Sequence, residues 1–160
     1  MKSSKSTQTL VNLPKSIQDQ TLEKPMSGRF TQNYIYKKHD IGEDVQAKIK
    51  SLQEICYSKG MTQEQVLWTT ALVDHESGGS WNEKEKGDGG CSIGIGQWNK
   101  CVGRIAPPTF NNQADLICSE MKQKYDRFGI KTGVGKHNAP AWNSNPKYLK
   151  RVERSTHEFK

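Results

Sequence analysis

The chain contains no run of about 18 or more apolar residues, so no segment of it reads as a membrane-crossing helix. It has no CxxC pair either, which argues against a structural zinc site, and neither metal nor cofactor is expected. Hydrophobic residues are scarce, 32% of the total, so a compact core must come from a subset of the 160 residues. That length fits one domain with a tail. The first residues, MKSSKSTQTLVNLPKSIQ, begin basic but never develop an apolar core, so they do not read as a secretory signal. Positive charge is in excess, +7 net, yet the 24 Lys and Arg are scattered. An anionic partner is expected, but no concentrated basic stretch or reading motif singles out nucleic acid.

What is present divides the chain in two. Residues 1–38 are rich in Ser, Thr, Gln, Lys and Asn with little periodicity, and read as a flexible or extended arm. Residues 39–160 carry the domain. From Glu43 to Lys59, Val45, Ile49, Leu52, Ile55 and Cys56 recur at helical spacing, and Gly60 stops the helix. Thr62-x-x-Gln65 is a capping-box pattern opening a second helix. After Pro107 and Pro108 break the chain, Asn111 or Asn112 can cap a helix running to about Phe128. Its inward face is Ala114, Ile117, Cys118, Met121, Tyr125 and Phe128, and Gly129 ends it. A turn-rich stretch, KTGVGKHNAPAWNSN, precedes a last helix with Pro146 in its first turn and Tyr148, Leu149 and Val152 inward.

The domain is organised around Val66 to Asn99. VLWTTALVDHE is apolar on nearly every side, as a helix buried under other helices would be. Ser77, Gly78 and Gly79 end it, and a glycine-rich loop follows, closing on CSIGIGQW, which suits a small hairpin or irregular strand. The loop's glycines read as places where backbone approaches a ligand, since the spacing of Gly94 and Gly96 does not match a dinucleotide fingerprint. Glu76 therefore stands in the last turn of a buried helix. Partial burial and the negative end of the helix dipole both favour its protonated form, which is what a general acid near neutral pH requires. The competing reading is a terminal Glu that points to solvent.

Glu76-Ser77-Gly78 followed by Ser92-Ile93-Gly94-Ile95-Gly96-Gln97 resembles the E-S-G and G-L-M-Q signatures of lysozyme-like muramidases. The pattern is similar to that of soluble lytic transglycosylases and goose-type lysozymes. Ala141-Trp142-Asn143-Ser144 resembles the A-Y-N-A-G stretch that closes the cleft in those families. The three motifs occur in the family order and span the chain from about Thr62 to the C-terminus. The resemblance implies a lysozyme-like α+β fold, mostly α, with a small β element beside a helical core. It also implies cleavage of the MurNAc-GlcNAc β-1,4 bond of peptidoglycan, with Glu76 as general acid.

For a second carboxylate, Asp88 is the candidate, resembling by position a goose-type aspartate thought to position water. Asp88 also reads as a solvated turn residue between Gly87 and Gly89. A further family aspartate is replaced by Asn99, which argues against simple inverting hydrolysis. Lytic transglycosylases need one carboxylate: the substrate's acetamido group stabilises the cation, and the muramyl 6-hydroxyl closes a 1,6-anhydro ring. That is the favoured expectation, with a goose-type hydrolase using Glu76 and Asp88 as the alternative and a non-catalytic wall-binding module behind both. Ser92, Gln97, Trp142 and Asn143 are the expected substrate-binding residues, Trp142 standing where the family has tyrosine. A catalytic dyad of Glu76 with Asp74 or His75 is declined, because adjacent helical residues point about 100° apart. His137 receives no role.

An even number of cysteines, Cys56, Cys91, Cys101 and Cys118, is compatible with two disulfides in an oxidising space such as the periplasm, and equally with four thiols. A Cys91–Cys101 bridge would brace the loop after Glu76, but pairing stays open. Action in the periplasm or cell wall is expected. With no secretory signal read, delivery fits a bacteriophage virion or a holin route, the arm being a candidate attachment to a larger assembly.

Overall fold

The computed structural model describes residues 33–37, 41–139 and 145–159. Trp142 and Asn143, like most of the expected arm, lie outside the described residues. Helix α1 runs Glu43–Ser58 and α2 Gln63–Glu76. Three two-residue strands follow, β1 (Lys86–Gly87), β2 (Ser92–Ile93) and β3 (Trp98–Asn99). Helices α3 (Phe110–Phe128), α4 (Ile130–Gly135) and α5 (Pro146–Thr156) complete the chain. It is a mostly helical domain with a small antiparallel sheet in the order β1-β2-β3. Among the described residues no helix is long and apolar enough to cross a membrane.

Helix α2 is the centre, in contact with α1, α3, α4 and α5. Its all-round apolar sequence is matched by burial of Val66, Trp68, Ala71, Leu72 and Val73. Both bonds of the capping box form: the Gln65 amide N–H donates to Thr62 Oγ1 at 3.2 Å, and the Thr62 N–H to Gln65 Oε1 at 2.9 Å. Two buried polar side chains inside α2, Thr69 and Thr70, return their hydroxyls to backbone carbonyls one turn earlier. The helix ends where Gly78 and Gly79 take positive φ, which costs glycine little.

Both disulfides form. Cys56–Cys118 ties α1 to α3, and Cys91–Cys101 brackets the β2–β3 hairpin.

Three expectations are corrected. Thr109, not Asn111 or Asn112, caps α3, accepting from the Asn112 N–H at 3.3 Å; a hydroxyl just after Pro107-Pro108 was the better-placed acceptor. Phe128 is 36% exposed at the helix end rather than core. The stretch read as turns begins with α4, whose glycines suit packing rather than bending. A Cβ on Gly133 would meet Tyr125 Cδ1 at 2.9 Å, so its absence lets α4 lie against α3.

Residues 33–37, assigned to the arm, are packed into the domain. Tyr36 is buried, pairs by a β-bridge with Phe159, and donates its hydroxyl to Asp74 Oδ2 at 3.3 Å. The fully buried Gln53 amide closes two bonds with the Tyr34 backbone, 2.8 and 3.1 Å. A five-residue piece shows no periodicity, which is why sequence could not flag it. A chain beginning at Lys38 should melt more than about 10 °C below one beginning at Asn33, since it loses a buried aromatic worth about 3–5 kcal/mol and orphans Gln53. Thermal unfolding of the two chains measures this; equal midpoints would contradict it.

Candidate active site

Glu76 sits at the end of α2, in a cavity of about 230 Å³ shared with His75, Asn138, Tyr148 and Arg151. Burial pushes its pKa up to about 7, the nearby Asp88 carboxylate pushes in the same direction, and a hydrogen bond from Tyr148 opposes both. A large fraction of Glu76 is thus protonated at neutral pH. The expected direction holds, and desolvation is its main cause.

Tyr148 is the residue that sequence reasoning missed. Its helical spacing with Val152 reads as core, and it is indeed buried. Its hydroxyl, however, donates to Glu76 Oε1 across 72 positions of sequence. Asn145 fixes where this ring stands, accepting the Tyr148 N–H at 3.1 Å as the cap of α5. Burial and the Glu76 charge hold the phenol well above its usual pKa, so it remains a donor. With Oε1 engaged, the acidic proton falls to Oε2.

Two histidine rings flank Tyr148. His75 meets it edge-on at 5.5 Å, and His137 stacks on it at 6.3 Å. His75 lies half-buried, its pKa lowered by burial and by Arg151. His137 Nε2 lies 3.2 Å from the Gly96 carbonyl oxygen, which can only accept, so Nε2 carries the hydrogen. Burial and the Lys124 cation depress its pKa to about 3, keeping it neutral. His137 therefore ties the Gly94–Gly96 turn to Tyr148, a structural part that sequence gave no reason to assign.

Asp74, declined as a catalytic partner, faces elsewhere: its oxygens accept from Tyr36 and, at 3.1 Å, from Trp81 Nε1. Asn99 caps the turn after β3, accepting the Cys101 N–H at 2.9 Å.

Asp88 begins a single 3₁₀ turn, Asp88–Gly90, between β1 and β2. Its φ of +50° is left-handed, a conformation Asp tolerates better than most residues. Ser92 Oγ donates to Asp88 Oδ2 at 2.6 Å, and Ser92 is only 2% exposed. Ser92, an expected substrate-binding residue, thus holds Asp88. Gln97 also adopts positive φ, +47°, and its amide donates to the Gly94 carbonyl at 2.8 Å. It is committed to the loop's own backbone.

At three glycines of this loop the reading is corrected too. A Cβ on Gly94 would meet Gln113 Oε1 at 2.4 Å, one on Gly96 the Trp98 ring at 2.7 Å, and one on Gly87 Gln97 Oε1 at 2.1 Å. The protein's own side chains fill the space assigned to a ligand. Gln113 is the hub: buried, it accepts from the Ile95 N–H and donates to the Glu83 and Pro107 carbonyls at 2.9 and 2.7 Å. A lone Gln beside Ala114 on an apolar helix face was the available signal.

Among the described residues no three His, Cys, Asp or Glu side chains cluster as a metal site needs. The arrangement offers one carboxyl group of raised pKa with a fixed phenol behind it, a second carboxylate within electrostatic reach, and Lys147 and Arg151 at the rim. Compared with protein-family models, with curated proteins and with solved structures, the chain matches none.

Proposed function

We propose that the protein cleaves the MurNAc-GlcNAc β-1,4 bond of peptidoglycan as a lytic transglycosylase, with Glu76 as acid and then base. The observation that carries this is the carboxyl of Glu76, held near pKa 7 and oriented by Tyr148. Glu76 gives its proton to the bridging oxygen as the C1–O bond breaks. The substrate's acetamido oxygen shields the cationic C1. The Glu76 carboxylate then takes the proton of the muramyl 6-hydroxyl as O6 bonds to C1. Atoms and charge balance without water, and one carboxylate completes the cycle. The two disulfides are compatible with an oxidising compartment, which supports action in the periplasm or cell wall.

A second reading, goose-type hydrolysis, draws on one observation: Asp88 is held by Ser92 in a left-handed conformation while its charge reaches Glu76. Digestion of purified wall by Asp88→Asn separates the two. The transglycosylase should lose less than about 10-fold, because the attacking oxygen belongs to the substrate. A loss rivalling that of Glu76→Gln would transfer the assignment to hydrolysis, where a second carboxylate activates water. No digestion by the unaltered protein would overturn both.

The same site sets a pH signature. Activity should fall above about pH 7 as Glu76 loses its proton. Tyr148→Phe removes a bond that favours the carboxylate, so the alkaline limb should move to higher pH while the maximal rate drops. Asp88→Asn removes a repelling charge, so that limb should move to lower pH. Rate profiles of the two variants check the opposite signs; shifts in one direction would contradict the coupling.

A further inference from the structure

A larger cavity, about 620 Å³, lies beside the Glu76 cavity. The stretch 137–139 is their common border, with Asn138 in the smaller wall and His137 and Ala139 in the larger. The same His137 ring stacks on Tyr148, which holds Glu76, so two side chains separate this cavity from the acid.

Its wall is cationic. Arg104 is already paired with Glu120 at 2.8 Å. Arg127 and Lys136 each lie 4.9 Å from the centre of the Phe128 ring, and Lys124 completes the lining. Lys124 is half-buried, and burial lowers its pKa. Among the described residues neither Lys124 nor Arg127 makes a hydrogen bond or an ion pair. A partly desolvated ammonium with no bonded anion is costly, and an anionic ligand removes that cost.

Resting on the reading above, we infer that this cavity receives a carboxylate of the peptide carried by the muramyl sugar, so that the enzyme prefers peptide-bearing strands to bare glycan. The chemistry fits the position. The peptide leaves the same sugar whose C1–O bond is cleaved, through the lactyl ether on C3, and so begins one ring from Glu76. Lys124 and Arg127 are the cations left for its carboxylates.

The test compares glycan strands with their peptides intact and strands stripped by an amidase, cleaved by the unaltered protein and by Arg127→Gln, Arg127→Lys and Lys124→Met. The unaltered protein should favour peptide-bearing strands about 10-fold, through KM, as one charge-assisted contact allows. Arg127→Gln and Lys124→Met should bring the ratio toward one, and Arg127→Lys should largely keep it. Equal use of both substrates by the unaltered protein, or an unchanged ratio in both neutral variants, overturns the inference while leaving cleavage standing. Because Lys124→Met removes a half-buried charge, its melting point is measured alongside, and the exposed Arg127 variants decide if it unfolds. Cleavage of neither substrate overturns the functional reading, and this inference with it.

Discussion

Glu76→Gln should abolish wall cleavage, by at least about 100-fold, while the protein stays folded. The amide keeps the shape and still accepts the Tyr148 hydroxyl at Oε1, but it has no acidic proton to give. The same substitution should alter stability in a pH-dependent way, which a purely surface Glu would not do. The folded pKa, about 7, stands above the ordinary 4.5, so the native state binds this proton more tightly than the unfolded chain. Stability from Glu76 is therefore complete below about pH 4.5 and drains away as pH rises through 7. Gln does not titrate. The variant should match the parent near pH 4 and exceed it by up to about 3 kcal/mol at pH 8. Urea unfolding at the two pH values measures the difference. More than about a tenth of parental activity, with unchanged circular dichroism, would remove Glu76 as the acid; a pH-independent stability difference would remove the raised pKa.

The second large effect concerns Cys56–Cys118. The bond closes a loop of 62 residues and joins two fully buried positions on α1 and α3. Chain-entropy arguments assign about 4 kcal/mol to a loop of that length, and about 3 kcal/mol to the separation of 10 at Cys91–Cys101. Replacing Cys56 and Cys118 by Ala should lower the melting point by more than about 10 °C, with packing losses added at the buried site. Replacing Cys91 and Cys101 by Ser should cost less stability, but it loosens the hairpin that carries Ser92 and hence Asp88. Differential scanning calorimetry of both pairs orders the two costs. A smaller effect at Cys56–Cys118 than at Cys91–Cys101 would contradict the loop argument.

How much was legible depends on how local each signal is. The capping box at Thr62 and Gln65, the all-round apolar run of α2 and the glycines that stop it are neighbours in sequence, and they fold as read. So does the hairpin of β2 and β3. The expected identity of Glu76 as the group of interest also came from local pattern, and its buried position agrees with it. What escaped reading is what only tertiary structure brings together. Tyr148 meets Glu76 from the last helix, and Gln113 reaches the backbone of Glu83 and Ile95, far from its own turn. Tyr36 reaches Phe159 from the other end of the described chain. Gly87, Gly94 and Gly96 escaped for a related reason: sequence marks where a Cβ is absent, but not whether a ligand or the protein's own Gln97, Gln113 and Trp98 takes the space.

The most direct test is mass spectrometry of muropeptides released from purified wall by the unaltered protein, with Glu76→Gln as control. Disaccharide peptides ending in 1,6-anhydromuramic acid, absent from the control digest, are the predicted result. Reducing muramic ends would replace the intramolecular route by hydrolysis. Release of no glycan fragment at all would contradict the proposal that Glu76 is an acid for glycosidic cleavage.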